Sequence, residues 1–225
     1  MISTEILKTA ETKLGNKIEL IGEASDNNIL IIGVVHGDEP QGEYLIKSYL
    51  EKSLSSKAMI SKRERNAVPL FIPCLNPDGM HLKTRTNANG VDLNRNFPTK
   101  NWADGIKEGF TKGSPYYGGK APASEIETQF LIDTIVQYSP KLVLTLHTPY
   151  KIVNYDGPAA DIAQKISDII KYPVEKSIGY PTPGSFGTYC GVERNIPTIT
   201  LEMDEKIPVT ELVQPVHKIF DILQI

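Results

Sequence analysis

The stretch that decides the reading runs from Asn28 to Glu39, NILIIGVVHGDE. Its apolar run, Ile29 to Val35, is unbroken and rich in β-branched residues, the pattern of a strand buried on both faces of a parallel sheet. Just past it come His36, Gly37, Asp38 and Glu39. The next segment, Gln41 to Leu54, carries apolar residues at Tyr44, Leu45, Tyr49, Leu50 and Leu54, close to a helical period. His36 and Glu39 therefore fall in a strand-to-helix loop, where open α/β sheets place their ligands. An imidazole and a carboxylate three residues apart can close on one metal ion, since both donor types suit zinc at about 2.0–2.2 Å. Such a quartet is common by itself, and its weight comes from the rest of the chain.

The pattern of that strand and helix repeats downstream. Val68 to Leu75 (VPLFIPCL) reads as a second buried strand, ended by a turn at Asn76-Pro77-Asp78-Gly79. Lys62-Arg63-Glu64-Arg65 before it reads as a solvated charged turn. Met80 to Gly119 is rich in Asn, Gly, Pro and Lys and has no period; a long irregular segment of this kind is often functional. A helix is expected from Ser124, with Glu127 completing a capping box, to Tyr138 through Ile126, Phe130, Leu131 and Ile135. Lys141 to Leu146 is a third strand running into His147, and Pro197 to Leu201 a fourth running into Glu202. Helices are expected over Ala159 to Ile170 and Thr210 to Leu223.

Strands alternating with helices predict an α/β fold: a mostly parallel or mixed twisted sheet, helices on both faces, one domain over residues 1–225. Parallel strands end on the same rim, so His36 and Glu39, His147 and Glu202 should meet there. Two histidines and a glutamate with one position left for water form a catalytic zinc ligand set. Such a site also needs a base for the water's proton, and Glu202 is the candidate because it directly follows a buried strand, whereas Asp204 and Glu205 lie beyond it. Arg85 and the adjacent Asn94 and Arg95 lie in the irregular segment, and arginine is suited to two-pronged capture of a carboxylate.

Composition narrows the function classes. Hydrophobic content of 40 % and charged content of 23 % are those of an ordinary globular protein, and a net charge of -3 argues against nucleic acid and polybasic membrane binding. The N-terminal stretch MISTEILKTAETKLGNKIEL lacks the apolar core of a signal peptide, and no apolar run is long enough to span a bilayer. Cys74 and Cys190 form no C-x-x-C and are expected as reduced, buried thiols. A cytoplasmic protein with no membrane partner is expected.

Several stretches, taken jointly, resemble the zinc metallocarboxypeptidases: His36-Gly-Asp-Glu39, Asn76-Pro-Asp-Gly79, Arg85-x-Asn-Ala-Asn-Gly-Val-Asp-Leu-Asn-Arg-Asn-Phe-Pro98, Ser124-Glu-x-Glu-Thr-Gln129 and Gly179-Tyr-x-Thr-Pro-Gly-Ser-Phe-Gly187. The last favours the branch that cleaves cell-wall peptides over the digestive enzymes. The resemblance implies one zinc ion held by His36, Glu39 and His147, with Glu202 as general base and proton shuttle. It further implies Arg95 and Asn94 on the substrate's terminal carboxylate and Arg85 on the oxyanion. Asp92 would orient His36, Tyr180 would close over the substrate, and Phe186 would line the pocket of the departing residue. His81 and His217 match nothing in the family and are expected as ordinary surface or helix histidines. The implied reaction is hydrolysis of the amide between γ-D-glutamate and meso-diaminopimelate in a small murein peptide, during peptidoglycan recycling. The alternative is a zinc deacylase of the aspartoacylase or succinylglutamate desuccinylase type acting on N-acyl amino acids. Those chains carry a further β-rich domain, whereas only a short helix is expected after Glu202.

Overall fold

The computed structural model describes residues 2–55, 66–176 and 179–225; the expected charged turn at Lys62 to Arg65 lies outside them. In chain order the elements are β1 (Ile6–Glu11), β2 (Lys17–Gly22), β3 (Asn28–Ile32), α1 (Gln41–Ser55), β4 (Val68–Ile72), α2 (Pro77–Leu82) and α3 (Asp104–Lys107). They continue as α4 (Ile126–Tyr138), β5 (Val143–His147), β6 (Ile152–Asp156), α5 (Ala160–Ile170), β7 (Val174–Glu175), β8 (Thr198–Glu202) and α6 (Val209–Ile222). One mixed sheet carries the strands in the order β1-β2-β4-β3-β5-β8-β6-β7. Its centre, β4-β3-β5-β8, is parallel and consists of the four strands expected from the apolar runs. Antiparallel β2 and β6 flank that centre.

Both faces of β3 are buried. Ile29 and Ile31 join Leu144, Leu146, Ile199 and Leu201 in a core closed by α1, α5 and α6. Leu30 and Ile32 join the opposite core, with Phe130, Leu131 and Ile135 of α4 and, from the connecting segments, Leu93, Phe97 and Phe186. Burial of this apolar area, at roughly 25 cal/mol per Å², is the main force holding helices to the sheet.

Three local expectations are corrected. β3 stops at Ile32 rather than Val35, because Val34 takes a left-handed φ of 52°. A β-branched residue there costs roughly 1–2 kcal/mol, and the chain turns two residues before His36. The Asn76–Gly79 stretch starts a helix instead of a turn. Pro77 occupies the first position of α2, and the Gly79 N–H donates to the Asn76 side-chain oxygen at 2.9 Å. Asp78 beside it accepts from the Thr12 hydroxyl, the Leu14 N–H and the Asn16 amide, tying down the β1–β2 turn. The capping box at Ser124 does not form: α4 starts at Ile126, the Ser124 hydroxyl donates to Glu125, and buried Glu127 accepts from the Asn87 amide.

Among the described residues no helix is long and apolar enough to cross a membrane. Cys74 and Cys190 are unpaired and buried, and burial pushes both thiols up, that of Cys74 to about 12.

Candidate active site

Register brings the expected residues together. β5 pairs with β8 so that His147 stands opposite Glu202, each the last residue of its strand. β3 lies on the other side of β5, and the loop after it carries His36 and Glu39 to the same rim. This loop sits close to α2: a Cβ on Gly37 would fall 2.0 Å from the Gly79 carbonyl carbon. Gly37 is therefore needed for the two backbones to touch, whereas a Cβ on Gly79 would fall 2.5 Å from the Thr86 carbonyl oxygen and the Asn76 amide.

His36, Glu39 and His147 are all buried, and they converge. The Glu39 carboxylate lies 2.8 Å from His36 Nδ1 through one oxygen and 2.9 Å from His147 Nδ1 through the other. The two Nδ1 atoms are 3.2 Å apart. Ligand atoms at about 2.0–2.2 Å from one tetrahedral ion stand roughly 3.3–3.6 Å apart, so the set needs to open by less than about 1 Å. Two imidazoles and a carboxylate could hold a metal such as zinc. On the far side of its ring, His36 Nε2 lies 3.2 Å from Asp92 Oδ1. This frees Nδ1 as the ligating nitrogen.

Without a metal these groups polarise one another. Burial disfavours a charged His36, but Glu39 and Asp92 outweigh it and raise the imidazole to about 9. Burial likewise pushes Glu39 and Asp92 up, and the facing cations more than reverse it, leaving both carboxyls well below their usual range. Glu202 goes the other way. Burial, with Glu39 nearby, raises it above an ordinary glutamate, and among the described residues one of its oxygens is buried without a partner. A raised carboxylate near a metal is suited to exchanging protons.

His36, Glu39 and Glu202 line a cavity of about 250 Å³ with Arg85, Asn94, Arg95, Tyr150 and Tyr180. The Arg85 Nε donates to Asp92 Oδ2 at 3.0 Å, so one aspartate fixes both His36 and Arg85. Arg95 is 2 % exposed. Among the described residues it donates once, from Nη1 to the Asn94 carbonyl at 2.7 Å, and its Nε and Nη2 are buried with no partner there. An unmatched buried guanidinium is costly, which points to a ligand anion. Asn94 is aimed by the Phe186 N–H, which donates to its side-chain oxygen at 2.9 Å.

Tyr180 stands at the mouth, 36 % exposed; burial and a hydrogen bond to Tyr150 push its hydroxyl up to about 12. Phe186 does not line the cavity as expected. Its ring packs in the core against Phe97, 5.1 Å between centroids, because that apolar contact is available on the sheet side. Its part in the site is the backbone N–H. His217 is buried between helices near the Leu45 carbonyl and the Ser48 hydroxyl, and His81 is exposed on α2, as expected of helix histidines.

Sequence reasoning missed a second lobe of about 120 Å³, lined by Asn94, Asn154, Asp156, Lys176, Thr182 and Ser185 among others and sharing Asn94, Tyr180 and Glu202 with the first. Asp156 sits in a slot cut by two glycines. A Cβ on Gly187 would fall 2.1 Å from its carboxylate, and one on Gly191 2.3 Å from its own Cβ. Burial raises Asp156, and no cation offsets this. The available signal was the spacing of Gly187 and Gly191, four apart on a helical turn.

Comparison with known proteins agrees with this geometry. The zinc carboxypeptidase family model matches residues 8–172. Murein peptide amidase A of Escherichia coli K12 is 35 % identical over 189 residues, 80 % of this chain and 72 % of that protein. Murein peptide amidase A of Vibrio campbellii is 35 % identical over 186 residues, 80 % of this chain and 70 % of that protein. The crystal structure of murein-tripeptide amidase MpaA from Escherichia coli O157 superposes with a TM-score of 0.77 at 29 % identity, covering 96 % of this chain and 90 % of that one. With a family match over most of its length and these relatives, the chain belongs to the zinc carboxypeptidase family and is an enzyme of that family.

Proposed function

We propose that this protein is a zinc-dependent amidase that releases meso-diaminopimelate from a small murein peptide by cutting its bond to γ-D-glutamate. The observation that carries the reading is Arg95. A buried guanidinium with two donors unmatched among the described residues lines the same cavity as His36 and Glu39, which cluster with His147 behind them. A free terminal carboxylate meets both needs: it fills the two-pronged fork and places the adjoining amide near those donors.

One zinc ion, when held by His36, Glu39 and His147, supplies Lewis acidity that acidifies water and polarises the amide carbonyl. Glu202 takes the water's proton as the oxygen adds to the carbonyl carbon. It hands that proton to the departing nitrogen as the C–N bond breaks. Arg85, steadied by Asp92, donates to the carbonyl oxygen as negative charge builds on it. Arg95 and Asn94 hold the carboxylate, and Tyr180 covers the cavity.

The second lobe supports the choice of departing residue. The side chain of meso-diaminopimelate ends in an ammonium and a carboxylate. Asp156 on the lobe's wall offers the ammonium a partner, and Lys176 at its edge offers one to the carboxylate. The substrate, a small peptide of cell-wall origin, fits a cytoplasmic recycling enzyme with reduced thiols.

The test is product identification. Purified zinc-loaded protein is incubated with L-Ala-γ-D-Glu-meso-diaminopimelate and, separately, with N-acetylaspartate and N-succinylglutamate. Free meso-diaminopimelate from the first alone is the expected result. Cleavage of the N-acyl amino acids and not of the peptide would overturn the reading in favour of a deacylase.

A further inference from the structure

Arg95 raises a question of its own: what holds a buried guanidinium in place when no carboxylate pairs with it? Among the described residues it forms no ion pair, in contrast to Arg85, which is bound to Asp92. Its guanidinium carbon lies over two rings instead, 5.7 Å from the centroid of Tyr116 and 5.9 Å from that of Phe110. Tyr116 also lies under Arg85, at 5.4 Å. The two rings meet at 44°, their centroids 5.3 Å apart.

The loop bearing Tyr116 is strapped to the segment it serves. The Asp92 N–H donates to the Tyr117 carbonyl at 2.9 Å, and the Asn96 amide donates to the Gly118 carbonyl at 2.7 Å. Gly118 is packed so tightly that a Cβ there would fall 2.5 Å from the Arg95 carbonyl oxygen. The aromatic pair is thus fixed to the backbone of the arginine it faces.

We propose that Tyr116, with Phe110 behind it, is a positioning residue that holds Arg95 and Arg85 by their faces and leaves the in-plane N–H groups of Arg95 free for the substrate carboxylate. A ring attracts a guanidinium through its negative face and takes none of its hydrogen bonds. An aspartate in the same place would pair with the fork and compete with the substrate. The ring thus supplies attraction without neutralising the charge that the substrate must meet. This inference rests on the carboxylate-binding reading of Arg95 given above.

The test compares Tyr116→Leu, which keeps apolar bulk and loses the ring, with Tyr116→Phe. Tyr116 is 37 % exposed, so the fold should tolerate either. Tyr116→Leu is expected to raise KM for the murein tripeptide about five-fold or more, with a smaller change in kcat, while Tyr116→Phe stays within two-fold. In an Arg95→Ala background, Tyr116→Leu should raise KM no further. Calorimetric titration of meso-diaminopimelate into metal-free protein gives a readout independent of turnover, and the same ordering is expected there. If Arg95→Ala weakens binding and Tyr116→Leu does not, or if Tyr116→Phe is as damaging as Tyr116→Leu, the positioning role is wrong and the carboxylate reading stands. If Arg95→Ala itself changes nothing, the carboxylate reading fails first.

Discussion

Replacing Arg95 by alanine should cost the enzyme its grip on a free carboxyl end, and the size of the loss follows from the surroundings of the side chain. Arg95 is buried, and two of its donors have no partner among the described residues. A hydrogen bond to a charged group contributes about 1.5–3 kcal/mol, and two such bonds in a fork about 3–5 kcal/mol. At about 1.4 kcal/mol per tenfold, Arg95→Ala should lower kcat/KM by roughly 10²- to 10⁴-fold, mostly through KM. Arg95→Lys should recover only part, since an ammonium cannot reproduce the fork. The decisive assay measures four kcat/KM values: wild type and Arg95→Ala, each with the free-acid tripeptide and with its C-terminal amide. Amidation should penalise wild type by a similar factor and Arg95→Ala hardly at all, because both lesions remove one contact. If the two penalties simply multiply, Arg95 does not bind that carboxylate.

Other parts of the site give sharper single outcomes. Glu202→Gln should keep the fold and the metal content yet lower kcat by roughly 10²–10⁴-fold; a kcat within a few-fold of wild type would move the base elsewhere, with Asp204 tested next. In the metal-free protein His36 titrates at about 9 against an ordinary 6.5. Its pKa is raised on folding, so its contribution to stability is full below pH 6.5 and is lost as pH climbs to about 9. The thermal midpoint of the metal-free protein should fall across that window. Zinc uptake at pH 7.5 should release close to one proton from His36, read by calorimetry in buffers of differing ionisation enthalpy; no release would contradict the assignment. Asp156→Ala should lower kcat/KM for the diaminopimelate peptide by roughly ten- to hundred-fold while sparing a γ-D-Glu-alanine analogue, and equal losses on both would remove Asp156 from substrate selection.

The legible part of the fold was its parallel centre. β3 and β4 are apolar almost throughout and β5 and β8 set buried threonines among apolar residues, so all four stand out as largely buried strands, and their shared direction places His36, Glu39, His147 and Glu202 on one rim. The flanking strands left weaker traces. β1 and β2 alternate lysine and glutamate with their inward residues, β6 carries Asn154 and Asp156, and β7 is two residues long. Asn76 to Gly79 read as a turn because proline and glycine mark turns and helix starts alike, and only Asn76 capping Gly79 distinguishes them. Phe186 was assigned by motif to the pocket, yet which way a ring faces depends on packing against Phe97. Asp156 and Tyr116 stayed hidden because their roles depend on long-range contacts, with Gly187 and Gly191 in one case and Arg85 and Arg95 in the other.

Metal titration of activity tests the central claim most directly. Protein stripped of metal is given zinc in fractional equivalents, and release of meso-diaminopimelate from L-Ala-γ-D-Glu-meso-diaminopimelate is followed at each step. The three-ligand site formed by His36, Glu39 and His147 predicts no release without metal, a linear rise, and a break at one equivalent per chain. Full release by the stripped protein, or a rise that continues to a second equivalent, would contradict it.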